Sequence, residues 1–418
     1  MKIKSYTIEK CALFLVFLFY ISTNSFWGYR LFHESNIFPA MASLLPTFLF
    51  IAFYFITGFH IRIPATILTL VIYAVTVIWS GFNPKMILFY GMCATMLMDS
   101  RISDTSDWLK WFYLFSLLFM VGSFINLFMP GLYRSMILPA FAGSKSYVKL
   151  LLWSRMSATL IIPGFSSQSG FNAAHFVYGI GYILSCRIVE KVGFKRWLIF
   201  GLLLVCLVLT NKRAHFLFVI LSIAIAYYAT GEKKYRSKRF LILVLSGIAG
   251  LIVIYFLIMN VDVGVFRKLN LMLTQISDDE DVTSGRIELY AVAWKHFLQN
   301  PIFGIGWEQY PFLPDGLGEM HTHDIYLELL CETGIVGFTL FAAFFGYSLY
   351  TAFRNSRMAK SKEEKMSASF CLYMQLFFLL YGITGNPLYD PPYYIPYFLT
   401  CAFSMHRHFT GLMQMEGT

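Results

Sequence analysis

"HTHDIYLELLCETGIVG", residues 321–337, runs without a break into "FTLFAAFFGYSLYTAF", residues 338–353. Two histidines (His321 and His323) and three carboxylates (Asp324, Glu328 and Glu332) stand directly before an apolar run of the kind that crosses a bilayer. Ionisable side chains are costly in hydrocarbon and are kept near it mainly for function. The stretch therefore predicts a membrane-spanning helix with a polar site at its mouth. If 324–332 is helical, Asp324, Glu328 and Glu332 fall at i, i+4 and i+8, close to one face.

The rest of the chain agrees with the membrane half of that expectation. Of 418 residues, 57% are hydrophobic and only 13% charged, about half the charge content of a soluble domain. Apolar segments able to cover a bilayer core of about 30 Å recur along the whole length. The expected spans are 11–29, 37–58, 63–80, 84–98, 108–130, 171–187, 197–211, 213–230, 240–259, 333–353, 367–385 and 393–405. The expected fold is an all-α polytopic membrane protein. It has about 12 transmembrane helices and one large extracytoplasmic loop that contains an amphipathic helix. A closed barrel would show shorter, alternating segments. Cys11, Cys93, Cys186, Cys206, Cys371 and Cys401 stand singly inside apolar runs, with no spacing for a disulfide framework or a zinc site. Lys2, Lys4 and Lys10 before "CALFLVFLFYIS" look like a signal peptide, but "TNSFWGYR" offers no small-residue cleavage site. The segment reads as an uncleaved first span.

Basic residues near span ends orient a membrane protein. Arg62, Arg101, Lys110, Arg187, Lys191, Lys195, Arg196, "EKKYRSKR" (232–239) and "RNSRMAKSKEEK" (354–365) all fall in loops of one parity. That places both termini in the cytoplasm and makes the net charge of +10 a topology signal rather than a nucleic-acid one. The loops 131–170 and 260–332 then face outward. The chain divides into spans 1–5 (1–130), an outer loop with spans 6–9 (131–259), the large loop (260–332) and spans 10–12 (333–418).

Within the large loop, "TSGRIELYAVAWKHFLQNPIFGIG" (283–306) predicts a helix. Thr283 or Ser284 suits its N-cap, and Ile287, Tyr290, Ala291, Trp294, Phe297 and Leu298 make a 3.6-residue stripe. Asn300-Pro301 ends it, and Gly304 and Gly306 turn the chain. Such a helix belongs on the bundle's outer surface or at the lipid interface. Arg286 sits in its first turn, where anions are favoured.

His323 is the candidate base, since imidazole near a carboxylate takes a proton from a hydroxyl near neutral pH. The alternatives are a hydrogen-bonded surface histidine, or a metal site formed by His321, His323 and a carboxylate. In "TNKRAHF" (210–216), Lys212 either snorkels to headgroups or joins a site. Arg213, on the outer side where positive charge is disfavoured, suits bidentate phosphate contact. Arg213 and Arg286 could converge on a diphosphate. "SRMSATLIIPGFSSQSGFNAAHF" (154–176) adds Arg155, Ser166, Ser167, Gln168 and Asn172 to the outer side, and "GNPLYDPPYY" (385–394) could pack over the same mouth.

Together these stretches resemble the bacterial O-antigen ligase and polysaccharide (O-antigen, capsule, exopolysaccharide) polymerase family. The ligase pattern is a histidine, then Asn, Ser or Gln, nine residues, a glycine, two more, and a small residue or tyrosine. Here it reads His323, Asp324, nine residues, Gly334, two more, Gly337, and Asp324 is the departure. "NPIFGIGWEQY" is similar to the family's Pro-x-x-Gly-x-Gly stretch, "TNKRAHF" to its arginine between two spans, and "SRMSATLIIPGF" to its loop before span 6.

The resemblance implies a metal-independent, cofactor-free glycosyltransferase in the bacterial plasma (inner) membrane, with its active site extracytoplasmic. His323 would activate the acceptor hydroxyl, and Arg213 and Arg286 would hold the diphosphate of an undecaprenyl-diphosphate-linked glycan. Asp324, Glu328, Arg155 and Lys212 would support them. The partners are the donor, an acceptor glycan (a lipid-linked repeat unit or lipid A–core) and the bilayer; nucleic acid is not among them. The first expectation is a polymerase of oligosaccharide repeat units, and the alternative is an O-antigen ligase. A lipid-linked oligosaccharide transporter would be expected to carry its polar residues near the bilayer midplane.

Overall fold

The computed structural model describes residues 2–24, 48–60, 99, 101, 107–138, 162–166, 168–230, 233–262, 264–277, 285–316 and 320–416. The expected spans 63–80 and 84–98, and Arg155, lie outside the described residues.

The described chain is helical, with no strand among the described residues. The helices are α1 (Lys2–Asn24), α2 (Phe48–Thr57), α3 (Asp107–Phe128), α4 (Ser169–Val189), α5 (Phe194–Leu209) and α6 (Arg213–Ala229). They continue with α7 (Arg236–Asn260), α8 (Gly264–Ser277), α9 (Arg286–Gln299), α10 (Ile325–Met358), α11 (Lys362–Tyr381) and α12 (Pro391–Glu416). Trp108–Phe128, Ser237–Asn260 and Ile325–Met358 are long and apolar enough to cross a membrane, and Phe48–Thr57 and Arg213–Ala229 are shorter apolar helices. The spans expected over 171–187, 197–211 and 213–230 coincide with α4, α5 and α6 to within a few residues. The one expected over 367–385 stops at Tyr381, where Gly382–Asn386 turn the chain into α12.

The centre of the bundle is α4 and α11, which pack on each other and on α3, α6, α10 and α12. Aromatic rings fill it: Trp108 stacks on Phe403 with centroids 4.4 Å apart, and Phe378 on Tyr397 at 3.8 Å. The interior is not wholly apolar. Ser348 donates to Gln375 Oε1 (3.0 Å), Gln375 to Ser404 Oγ (3.3 Å), and Asn355 to the Ser404 carbonyl (2.6 Å). These groups are uncharged and tie α10, α11 and α12 together, as polar side chains do between helices in lipid. α7, the most hydropathic helix, buries none of its span in the protein. Such an exposed apolar surface suits contact with lipid.

α10 carries the feature that shapes the site. Gly334 interrupts it with φ +62° and ψ −170°, a backbone region open essentially to glycine alone. A break leaves carbonyls before it and amides after it without helical partners. The turn 301–306 supplies both: Ile305 and Gly306 N–H donate to the carbonyls of Cys331 and Glu332 (3.1 and 2.9 Å), and the carbonyls of Pro301 and Ile302 accept from Ile335 and Val336 (2.8 and 3.2 Å). The two strands of backbone approach so closely that a Cβ on Gly334 would strike the Ile302 carbonyl, and one on Gly304 the Glu332 carbonyl. The Pro-x-x-Gly-x-Gly turn and the downstream glycine are therefore one structural unit.

α9 keeps the end that Asn300-Pro301 predicts. It begins after Gly285, whose φ is +77°, and ends at Asn300; Thr283 and Ser284 lie outside the described residues. It buries Leu289 and Ala293 against Tyr310 and Cys331, while Ile287, Trp294 and Leu298 of the expected stripe are exposed. The stripe faces away from the protein, which suits an interfacial helix.

Candidate active site: two histidines at a basic rim

The segment 321–324 enters α10 through a tight turn. Asp324 caps the helix, accepting from Tyr326 N (2.9 Å) and Leu327 N (3.0 Å). It makes no contact with the His323 ring that could strengthen it as a base. Asn, Ser and Asp share this cap chemistry, so the departure at 324 keeps the position's backbone role. His323 itself sits at φ +61°, uncommon outside glycine, and its ring is exposed on one side with no hydrogen bond among the described residues. Desolvation by the protein behind it, then the Arg286 guanidinium, lower its pKa to about 4. The ring is neutral at physiological pH and able to accept a proton.

Arg286 starts α9 and donates to the Thr384 carbonyl (3.3 Å). Its charge reaches both His323 and Arg213. Arg213 starts α6 and directs Nη1 towards Met272 Sδ on α8 (3.1 Å). Lys212, in the three-residue turn 210–212 before it, acts electrostatically on His323 and on Asp390. Four residues expected at the site, from three separate stretches, thus share one neighbourhood.

Glu328 reaches His323 by its charge, which opposes the lowering of that pKa, but its hydrogen bonds go elsewhere. It is fully buried and binds the other histidine: Glu328 Oε1 accepts from His321 Nδ1, and Oε2 accepts from Thr322 N (2.8 Å), Thr322 Oγ1 (2.7 Å) and Asn386 Nδ2 (2.5 Å). Burial opposes charge on His321, but the Glu328 hydrogen bond and charge outweigh it, with Asp390 and Glu332 adding, and its pKa rises to about 9. One turn along α10, Glu332 accepts from Tyr310 N (3.0 Å) and Tyr389 OH (2.6 Å). Tyr389 stacks between Trp307 (4.7 Å) and His321 (4.9 Å). "GNPLYDPPYY" does pack over this mouth, through Asn386, Tyr389 and Asp390. Burial raises the Asp390 pKa to about 6 against the charges of His321 and Lys212. Further along, Tyr393 OH donates to the Gly170 carbonyl (2.7 Å) and receives His215 Nε2 (2.6 Å), pinning the turn that carries Lys212 and Arg213.

Sequence reasoning raised His321 only as a metal ligand, and it missed Asn386 and Tyr389. The available signal was a histidine seven residues before a glutamate across a helix start; it needed the fold to become a contact. Among the described residues no group of three His, Cys, Asp or Glu side chains is placed to hold a metal ion. Asn172 is a bundle residue rather than a site residue, donating to Ser123 Oγ (2.9 Å) and the Ile162 carbonyl (3.0 Å). Gly337 packs on Thr333 within α10.

A helical membrane protein that gathers histidine, arginine and lysine side chains at one rim has the equipment of an enzyme acting on an anionic, membrane-held substrate. Residues 198–342, from α5 into α10, match the family model described as O-antigen ligase. Arg213, Arg286, His321, His323, Gly334 and Gly337 all fall inside the match. No curated protein matches the chain.

Proposed function

We propose that this protein joins undecaprenyl-diphosphate-linked oligosaccharide repeat units into a surface polysaccharide on the outer face of the plasma membrane, without a metal ion. The observation that carries the proposal is that Arg286 and Lys212 act on the neutral ring of His323 while Arg213 lies within reach of the Arg286 charge. In the reaction an acceptor hydroxyl oxygen bonds to the donor's anomeric carbon and gives its proton to His323. The bond from that carbon to the diphosphate breaks, and its electron pair leaves with the phosphate oxygen. The fixed cations stabilise the charge that grows there. The bound diphosphate also offsets the charge of Arg286, so the pKa of His323 should climb from about 4 as the donor arrives, which makes the ring a stronger base in the complex.

The second reading, transfer of a finished glycan to lipid A–core, is favoured by the description of the matching family as ligase. The chemistry at the anomeric carbon is the same, and the two differ only in acceptor. A deletion strain complemented with wild type or His323→Ala separates them on a gel of surface glycan. A polymerase defect leaves single units on the final carrier, and a ligase defect leaves full-length chains on the lipid carrier. Wild-type product from His323→Ala would remove the residue from the chemistry. Loss of activity on chelation, restored by a divalent ion, would remove metal independence.

A further inference from the structure

His321 is used by neither step above, although it is the more elaborately held of the two histidines. Its Nδ1 is committed to Glu328, whose other oxygen is saturated by Thr322 and Asn386. Tyr389 lies against the ring at 4.9 Å and, through its hydroxyl, is itself fixed to Glu332. With Nδ1 occupied, Nε2 is the ring's remaining polar atom, and the side chain keeps 34% of its surface exposed. A histidine whose Nδ1 is bonded to a carboxylate presents an N–H donor at Nε2.

The groups that face it are acidic from every side. Glu328 and Glu332 come from α10 and Asp390 from the turn before α12, while the cations Arg286 and Lys212 act on His323 instead. Two imidazoles two residues apart are thereby given opposite characters, one neutral and one cationic. Adjacent rings held in such different surroundings are suited to different tasks, the neutral one to a proton and the charged one to an anion.

We infer that His321, clamped by Glu328, is a cationic contact for the leaving diphosphate, donating Nε2–H to a phosphate oxygen while His323 handles the acceptor proton. Glu328 is its positioning residue, and no proton changes hands at His321. The inference rests on the reading of the substrate as a lipid diphosphate. It adds a charge-assisted hydrogen bond that strengthens as the phosphate oxygen gains charge.

The test is binding of farnesyl diphosphate and of inorganic pyrophosphate to the full chain in zwitterionic nanodiscs at pH 7, with nitrogen-15 NMR of the histidine rings. Wild type should bind both, with the His321 ring doubly protonated. His321→Gln and Glu328→Gln should weaken both ligands about tenfold or more, the scale of one charge-assisted hydrogen bond. His321→Lys, which restores a cation, should recover most of the loss. Glu328→Gln should also return the His321 titration towards an ordinary histidine value. Equal binding by wild type and His321→Gln, loss confined to the farnesyl ligand, or a neutral His321 ring at pH 7 in wild type would each overturn the inference and leave the diphosphate reading intact. Failure of wild type to bind either ligand would overturn that reading, and the inference with it. Well-folded behaviour of the Gln and Lys variants on size-exclusion chromatography guards against a trivial loss.

Discussion

At the scale of residues, the environment rather than the type of side chain decides each role. His323 and His321 are chemically identical, yet one is held neutral and the other charged. Their linkage to stability has opposite signs. For His321 the folded pKa, about 9, exceeds the ordinary value, so its contribution is complete below about 6.5 and is lost as pH rises through about 9. For His323 the folded pKa, about 4, lies below the ordinary value, so stability falls as pH drops from about 6.5 towards about 4. Activity follows His323: the acid limb of kcat/KM should lie near pH 4, because the free enzyme needs the neutral ring. Arg286→Ala removes a repelling charge and should move that limb to higher pH while weakening donor use; an unmoved limb in the pH–rate profile would show that the two groups do not interact. Asp324 is tested by its cap. Asp324→Asn should melt close to wild type, and Asp324→Ala should lose about 1 kcal/mol in thermal or denaturant unfolding.

At the scale of elements, the broken helix explains the placement of Pro301, Gly304, Gly306 and Gly334. The break at Gly334 turns the first two turns of α10 away from the apolar run, and the turn 301–306 bonds across the gap. The carboxylates of Glu328 and Glu332 lie on that upper segment, which accounts for their presence beside membrane-grade sequence. Both are buried in hydrogen-bonding protein rather than in lipid. Gly334→Ala meets the Ile302 carbonyl and a backbone region costing about 1–3 kcal/mol for a non-glycine residue, before any clash. The expected result is little folded protein in detergent, measured by fluorescence-detected chromatography, whereas Gly346→Ala, whose added methyl meets nothing within 4 Å, should be recovered normally. A second device steadies α9. Asp315 accepts from Lys295 (2.6 Å) and His296 (2.8 Å), and these hydrogen bonds hold its carboxyl down to about 2. That clasp persists above the ordinary carboxylate range and is lost only as pH falls towards about 2.

At the scale of the whole molecule, the site belongs to one rim of the bundle. It is assembled from the start of α6, the start of α9, the turn into α10 and the turn between α11 and α12. The basic segment 354–365 lies at the far end of α10 from His323, so the two should fall on opposite sides of the membrane. With the native cysteines replaced, a single cysteine at 320 should react with a membrane-impermeant maleimide in intact cells, and one at 362 only after permeabilisation. The reverse pattern would place the site in the cytosol and remove any role in outer-face glycan transfer.

The helical class, the positions of α4, α5 and α6, the turn at Gly304 and Gly306 and the four basic and imidazole residues of the rim were legible in the sequence. Each has a local signature: apolar runs of bilayer length, a cap residue, a proline–glycine turn, cations on the side where they are disfavoured. The partner of each histidine was not legible. Glu328 hydrogen-bonds the His321 ring while its charge also reaches His323, and Asp324 caps α10; chain proximity ranks both with His323 and does not tell these roles apart. Only the tertiary structure, by bringing Asn386, Tyr389 and Asp390 from some sixty residues away, decided which imidazole is charged. A pKa is set by what surrounds a group in space, and periodicity carries no record of contacts between distant segments.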